Sequence, residues 1–293
     1  MRSAAALALS VVAAGANAAG PPVTIGVGAT PMSLLAVGDT VWVANKDGGT
    51  VSRIDAGADR VSATIRVGGQ PWGLASDGRS VWVGNYAEGA ISRIDVASNR
   101  VVSRIRVGKA PIALDYGRGT LWAADYSAGR LFRVDPAGGA VTGRFTLPGN
   151  HLDVLVRPSG IWVASEDGVT RVNARSGRVE ARIRGGADTT FITPCAGALW
   201  ASNFMGTALW RIDERRARVT ARVAVGNAAA GIACLKGSVW VARYYANRLL
   251  RISPSGAVVR RLVTGASPTD VVATADAVWV ANSGDGSVTK YRS

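Results

Sequence analysis

The chain has 293 residues, 48% of them hydrophobic, with 34 Lys and Arg against 20 Asp and Glu for a formal charge of +14. One histidine in the whole chain excludes multi-histidine metal centres and paired-histidine catalysis, and neither a Gly-x-Ser-x-Gly elbow nor a Gly-rich phosphate loop is present. The positive balance favours acidic partners, nucleic acid and other polyanions among them, through its long-range field.

In chain order, residues 1–18 come first and have the make-up of a secretory signal. Arg2 supplies the positive start, Ala4 to Ala14 is apolar, and Ala16-Asn17-Ala18 is a small-x-small cleavage pattern. Cleavage after Ala18 predicts a periplasmic or secreted protein with one domain over residues 19–293. No later run approaches the roughly 18 apolar residues of a membrane span, so a soluble, monomeric body is expected. From Val23 onward the chain repeats. Trp42, Trp82, Trp122, Trp162, Trp200, Trp240 and Trp279 stand 40, 40, 40, 38, 40 and 39 residues apart, a sustained period that marks a repeat architecture.

The second unit shows the pattern within a period. Pro71 to Ala75 is a short apolar run ended by a turn at Ser76 to Arg79. Ser80 to Asn85 follows, then Ala90 to Asp95 and Val101 to Val107, each bounded by Gly, Asn or Asp. Four short β-branched strands per unit, with no run long enough for a helix, predict the blade of a β-propeller. Val23 to Gly28 matches the fourth strand of a unit, whereas the C-terminus stops at a third strand, Ser287 to Tyr291. Pairing these two ends predicts an all-β, seven-bladed propeller closed three-plus-one.

Val-Trp-Val-Ala-Asn at residues 41–45, followed by Ser-Arg-Ile-Asp at 52–55 and Ile-Arg-Val-Gly at 65–68, and again Val-Trp-Val-Ala-Asn at 278–282, resembles the YVTN or YncE-like β-propeller repeat family. The resemblance covers the mature chain. It implies the propeller fold and a range of roles, from ligand and nucleic-acid binding to scaffolding. Related-looking propellers include streptogramin lyases and lactonases, which gives the alternative of an enzyme with its site at the channel mouth.

Several columns have structural roles. The seven tryptophans fit as wedges between blades. Arg53, Arg93, Arg133, Arg171, Arg211, Arg251 and Lys290 form a second column, and Asp55, Asp95, Asp135 and Asp213 follow two residues later, so Arg–Asp pairing along or between blades is expected. Cys195 and Cys234 occupy neighbouring units. They either form a disulfide, which an exported compartment permits, or remain two buried thiols.

Candidate binding residues lie where repeats depart from one another on the face carrying the loops between strands two and three and those between strand four and the next strand one. After each Asn-like strand end stand Lys46, Tyr86, Tyr126, Glu166, Phe204, Tyr244 and Ser283. Tyr245 adds an aromatic, Arg243 replaces the Asn, Lys109 lies on a companion loop and Trp72 follows Pro71 near the same mouth. Aromatics interleaved with cations stack planar groups and attract anions, as in single-stranded nucleic acid. A second constellation lines the channel: Asp153 and Asp270, nine residues before their tryptophans, Asp115 two positions later in its own unit, and His151 above. These give an alternative catalytic set, His151, Asp153 and Asp270, and an alternative cation site, Asp115, Asp153 and Asp270. No cofactor is implied. The expected function is that of an exported binding or scaffold protein engaging its ligand at the mouth.

Overall fold

A computed structural model describes residues 20–147, 149–185 and 188–293, so the signal segment assigned to residues 1–18 lies outside the described residues. Seven four-stranded antiparallel sheets follow one another. Blade one runs from its inner strand Pro31–Val37 through Thr40–Asn45 and Thr50–Asp55 to its outer strand Arg60–Arg66. Blades two to six repeat that order, beginning at Pro71, Pro111, His151, Thr189 and Ala229. Blade seven takes three strands from residues 268–292 and its outer strand from Val23–Gly26, with Val23 opposite Lys290 and Ile25 opposite Val288. The chain is a seven-bladed β-propeller closed as its two ends predict.

The tryptophans are wedges between blades. Trp42 of blade one is fully buried among Leu74, Val81, Val83 and Ile94 of blade two. Trp82 packs likewise on Leu114, Leu121 and Ala123 of blade three. Trp279 of blade seven meets Leu34, Val41, Val43 and Ile54 of blade one, so the seam between the two ends of the chain has the same core as the rest. The terminal Asn of the second strand holds the following hairpin: Asn45 Nδ2 donates to Thr50 Oγ1 and Ser52 Oγ at 3.1 and 2.9 Å, and Asn85 Nδ2 donates to Ser92 Oγ at 2.8 Å.

The basic column behaves differently from the Arg–Asp expectation. Arg53, Arg171 and Arg251 lie over Trp42, Trp162 and Trp240 at 5.3, 5.7 and 5.7 Å, and Lys290 lies 4.9 Å from the Trp279 centroid. The aspartates cap turns instead. Asp55 accepts from the amides of Gly57 and Ala58, and Asp95 from that of Ser98. These backbone hydrogen bonds hold the Asp55 carboxyl below its ordinary pKa. Successive turn amides converge on a carboxylate two residues back more readily than a long side chain on the same strand does.

Cys195 and Cys234 form a disulfide between the inner strands of blades five and six, with Cα atoms 5.4 Å apart. The two strands are neighbours around the axis, which brings together positions 39 residues apart in sequence. On the chain-entropy account, a loop of that length contributes about 4 kcal/mol. The double variant Cys195→Ser/Cys234→Ser is expected to lower unfolding stability by about that amount, read as a reduced denaturant midpoint with a somewhat larger m-value, since the unlinked denatured chain is more expanded.

Candidate functional site

The mouth is built by one repeated backbone clamp. In six of the seven blades the residue after the second strand donates its N–H to the residue just before the inner strand. Lys46 bonds to Thr30 O, Tyr86 to Gln70 O, Tyr126 to Ala110 O, Phe204 to Asp188 O and Tyr244 to Ala228 O, at 2.8–3.1 Å. Thr30, Gln70, Asp188 and Ala228 take the left-handed conformation there, with φ of 55–58°. The two sets of loops therefore share a face, and the column from Lys46 to Tyr244 stands around the channel.

Every inner strand then shifts register once against its neighbour, as between Pro31 and Ser33 or Pro111 and Ala113. A bulge takes a residue out of the ladder and re-aims its side chain. The residues set free include Met32, Trp72, Ile112 and Leu152, and these line a cleft of about 240 Å³ together with Phe191, Phe204 and Tyr244. Thr190, Ala230, Thr269 and Asp188 complete it. The residue ten positions before the tryptophan is bulky in blades one to four and small in blades five to seven, where Phe191, Phe204 and Tyr244 complete the wall.

Aromatic contacts extend this lining. Phe204 and Tyr244 have ring centroids 5.7 Å apart, and the exposed Tyr245 packs against both at 5.8 and 5.2 Å. Trp72 meets Tyr86 at 6.0 Å, with Lys46 Nζ 5.3 Å from its ring. Of the sequence candidates, Trp72, Phe204 and Tyr244 line the cleft, while Lys46, Tyr86 and Tyr245 touch those liners. Tyr126 stands beside two carboxylates: burial pushes its hydroxyl pKa up, and Glu166 and Asp188 add to this. Lys109 is exposed outside the cleft. Arg243 folds back onto the loop before blade six, its Nη2 donating to Asn227 Oδ1 at 3.2 Å. The expected basic mouth is instead mixed in charge. Glu166 lies close enough to Asp188 that it and burial raise the Asp188 pKa.

Besides Asp188 and Phe191, six cleft residues were not among the sequence candidates: Met32, Ile112, Leu152, Thr190, Ala230 and Thr269. Each stands ten positions before its repeat tryptophan. That column was legible, but it mixes apolar and small residues and so has no pattern that marks a site.

Below the cleft a channel of about 160 Å³ runs past Ser33, Gly73, Ala113, Asp153 and Asp270, with Phe191 lining both cavities. Backbone crowding explains the small residues, since a Cβ on Gly73 would run into the carbonyl of Ile112. The acids have a structural use. Asp270 Oδ2 accepts from Leu34 N of blade one at 2.8 Å, Asp153 Oδ2 from Ile192 N of blade five at 2.9 Å, and Asp115 Oδ2 from Val156 N of blade four at 2.6 Å. Each also accepts from the amide that follows it. They staple neighbouring inner strands by taking up edge N–H groups that no ladder reaches.

Among the described residues no group of three His, Cys, Asp or Glu is placed to hold a metal ion, so Asp115, Asp153 and Asp270 do not assemble a cation site. His151 is buried where blades one, two, three and seven carry proline. Its Nε2 lies 3.0 Å from Leu147 O and burial lowers its pKa, while the carboxylate acting on it is Asp125. It lines neither cavity, whereas Asp153 and Asp270 line the channel.

No protein-family model matches the chain, and no curated protein sequence does at a significant level. Solved structures share its fold. A chain of Kuenenia stuttgartiensis hydrazine synthase superposes with a TM-score of 0.78 at 17% identity, covering 90% of this chain and 96% of that one. Virginiamycin B lyase from Staphylococcus aureus gives 0.81 at 16% identity, covering 93% and 99%. A catalytically inactive histidine-to-alanine form of that lyase with quinupristin gives 0.80 at 17% identity, covering 93% and 100%. At these identities the likeness is one of fold.

Burial raises the pKa of Asp115 and Asp270 to about 6 and that of Asp153 well above the ordinary carboxylate value. The folded chain therefore keeps these protons to higher pH than the unfolded chain, whose aspartates titrate near 4. Their contribution to stability is full below about pH 4 and is lost as pH rises towards about 6, by on the order of 3 kcal/mol for a group such as Asp270. Asp270→Asn sets an amide donor against a backbone donor, so it is expected to lower stability overall. It should also flatten the fall in stability between pH 4 and 6, as read from thermal unfolding across that range.

Proposed function

We propose that this propeller is an exported binding protein of the YVTN or YncE-like kind, which holds a planar, largely apolar ligand at the channel mouth. The observation that carries the reading is the cleft where Trp72, Ile112, Leu152, Phe191, Phe204 and Tyr244 converge. Apolar concavities with a few placed polar groups are the usual form of small-molecule sites. Here Thr190, Thr269 and Asp188 supply those groups. Export rests on the signal-like residues 1–18 and gains support from the Cys195–Cys234 disulfide, a bond that persists in oxidising compartments.

The acidic flank of Glu166 and Asp188 weighs against a polyanion in the cleft, because like charges there repel a phosphate backbone. A planar neutral molecule, or one with a single charge, fits the lining better than single-stranded nucleic acid. An enzymatic role like that of virginiamycin B lyase draws little support from the residues. The lyase neighbour is inactivated by loss of a histidine, and this chain's one histidine is buried and bonded to a backbone carbonyl.

Titration with N-phenyl-1-naphthylamine, a neutral planar fluorophore, tests the reading. The protein is expected to bind it with one site per chain. Phe204→Ala/Tyr244→Ala should weaken binding by roughly tenfold or more, in line with about 1–3 kcal/mol per stacking side chain. Unchanged affinity in that variant would sink the mouth as the binding site.

A further inference from the structure

Seven-fold repetition places one cation from each third strand near a blade junction, on the face opposite the mouth. In three blades it crosses to the next. Arg53 Nη1 donates to Val96 O and Asn99 Oδ1, both at 2.9 Å, Arg171 Nη1 to Glu214 O at 3.2 Å, and Lys290 Nζ to Ala56 O at 2.6 Å. Arg133 of blade three does not cross. It turns back to its own outer strand, its Nε donating to Thr142 Oγ1 and its Nη2 to Thr142 O, both at 3.2 Å. Phe145 stands in the way of a crossing. Its ring stacks on Trp122 at 5.9 Å, lies 6.0 Å from the Arg133 guanidinium and presses on Gly177 in the turn of blade four. Arg93, Arg211 and Arg251 are likewise bonded within their own blades, to Ser80 Oγ, Thr220 Oγ1 and Ser238 Oγ, and beside Arg211 the Cys195–Cys234 bridge ties blades five and six.

At the junction of blades three and four, beside Phe145, lies a cleft of about 440 Å³, lined by Arg118, Arg133, Arg157 and Arg175 with Glu180 as its carboxylate. Glu180 is already taken, by Asn173 Nδ2 at 2.8 Å and Arg171 Nε at 3.4 Å. Arg157 is held by both oxygens of Glu214 at 3.3 and 3.1 Å. Among the described residues, Arg118, Arg133 and Arg175 have no carboxylate partner. Three uncompensated guanidiniums around one cavity repel each other, and an anion with more than one charge relieves this. Arg133 and Arg157 are fixed by their own hydrogen bonds, whereas Arg118 and Arg175 sit exposed on the turns at either lip. Two held forks at the wall and two exposed ones at the rim suit a small ligand. Ser159, Thr120 and Asn173 add neutral polar groups to the lining.

We infer that this cleft binds a small organic dianion, a phosphate monoester or a molecule with paired carboxylates, through the guanidiniums of Arg118, Arg133 and Arg175. Guanidinium forks match both oxyanion geometries and hold them more strongly than single-point cations do. The site lies on the face away from the mouth, and its assignment does not rest on the function proposed there.

Isothermal titration of the purified protein with phenyl phosphate, phthalate and benzoate tests the inference. At least one of the two dianions is expected to bind one to one, at least about tenfold more tightly than the monoanion benzoate. Which of the two is tighter tells a phosphate ligand from a dicarboxylate. Arg118→Ser/Arg175→Ser alters exposed turn residues and should cost about tenfold or more in dianion affinity. Arg79→Ser/Arg100→Ser removes the same charge away from the cleft and should change affinity by less than about twofold, as expected for screened surface charge. Failure of both dianions to outbind benzoate would overturn the site, and so would equal losses in the two double variants.

Discussion

The architecture depends on each blade burying its tryptophan in the next one. Trp42 lies among side chains of blade two and Trp279 among those of blade one, so no sheet completes its core alone. Truncating so large a buried side chain typically costs 3–5 kcal/mol, and seven such wedges hold the ring. The arrangement works only if it closes. The outer strand of blade seven, supplied from Val23–Gly26, is what lets the last wedge find a partner. The same need accounts for Asp115, Asp153 and Asp270, which span adjacent inner strands near the axis, where twist separates the sheets and no ladder can form.

A symmetric frame leaves function to the places where copies differ. The inner-strand bulge is common to all seven blades, so a side chain is aimed at the mouth seven times. What arrives is bulky from blades one to four and small from blades five to seven, and the cleft follows from that inequality. The opposite face carries a second inequality. Arg133 bonds within its own blade beside Phe145, and a cleft lies at the junction of blades three and four. Both cavities are thus products of broken repetition within an otherwise regular core.

Charge is distributed by the same logic. Arginines on the third strands are spent on tryptophan faces and turn carbonyls, while many others stand on outer strands in solvent. The mouth retains Lys46 beside Trp72 and the carboxylates Glu166 and Asp188. A net charge of +14 therefore describes the periphery far more than the cleft. Arg118, Arg133 and Arg175 are the place where cations converge without matching acids.

Periodicity alone carried the architecture. Spacing between tryptophans, strand-length alternation and the unmatched fourth and third strands at the two ends specify seven blades and their closure, because those properties are local and repeat. The mouth was legible in part, since Phe204 and Tyr244 belong to a column in which four of seven residues are aromatic and Trp72 follows Pro71 near the same mouth. Met32, Ile112 and Leu152 were not, because an apolar residue on a short strand looks like core until a bulge turns it outward. His151 and the channel acids suggested chemistry from composition, and only the backbone amides of neighbouring blades showed them to be staples or buried. Whether Cys195 reaches Cys234, where Arg133 points and which charges share a cavity depend on distances between blades, and a one-dimensional pattern does not contain them.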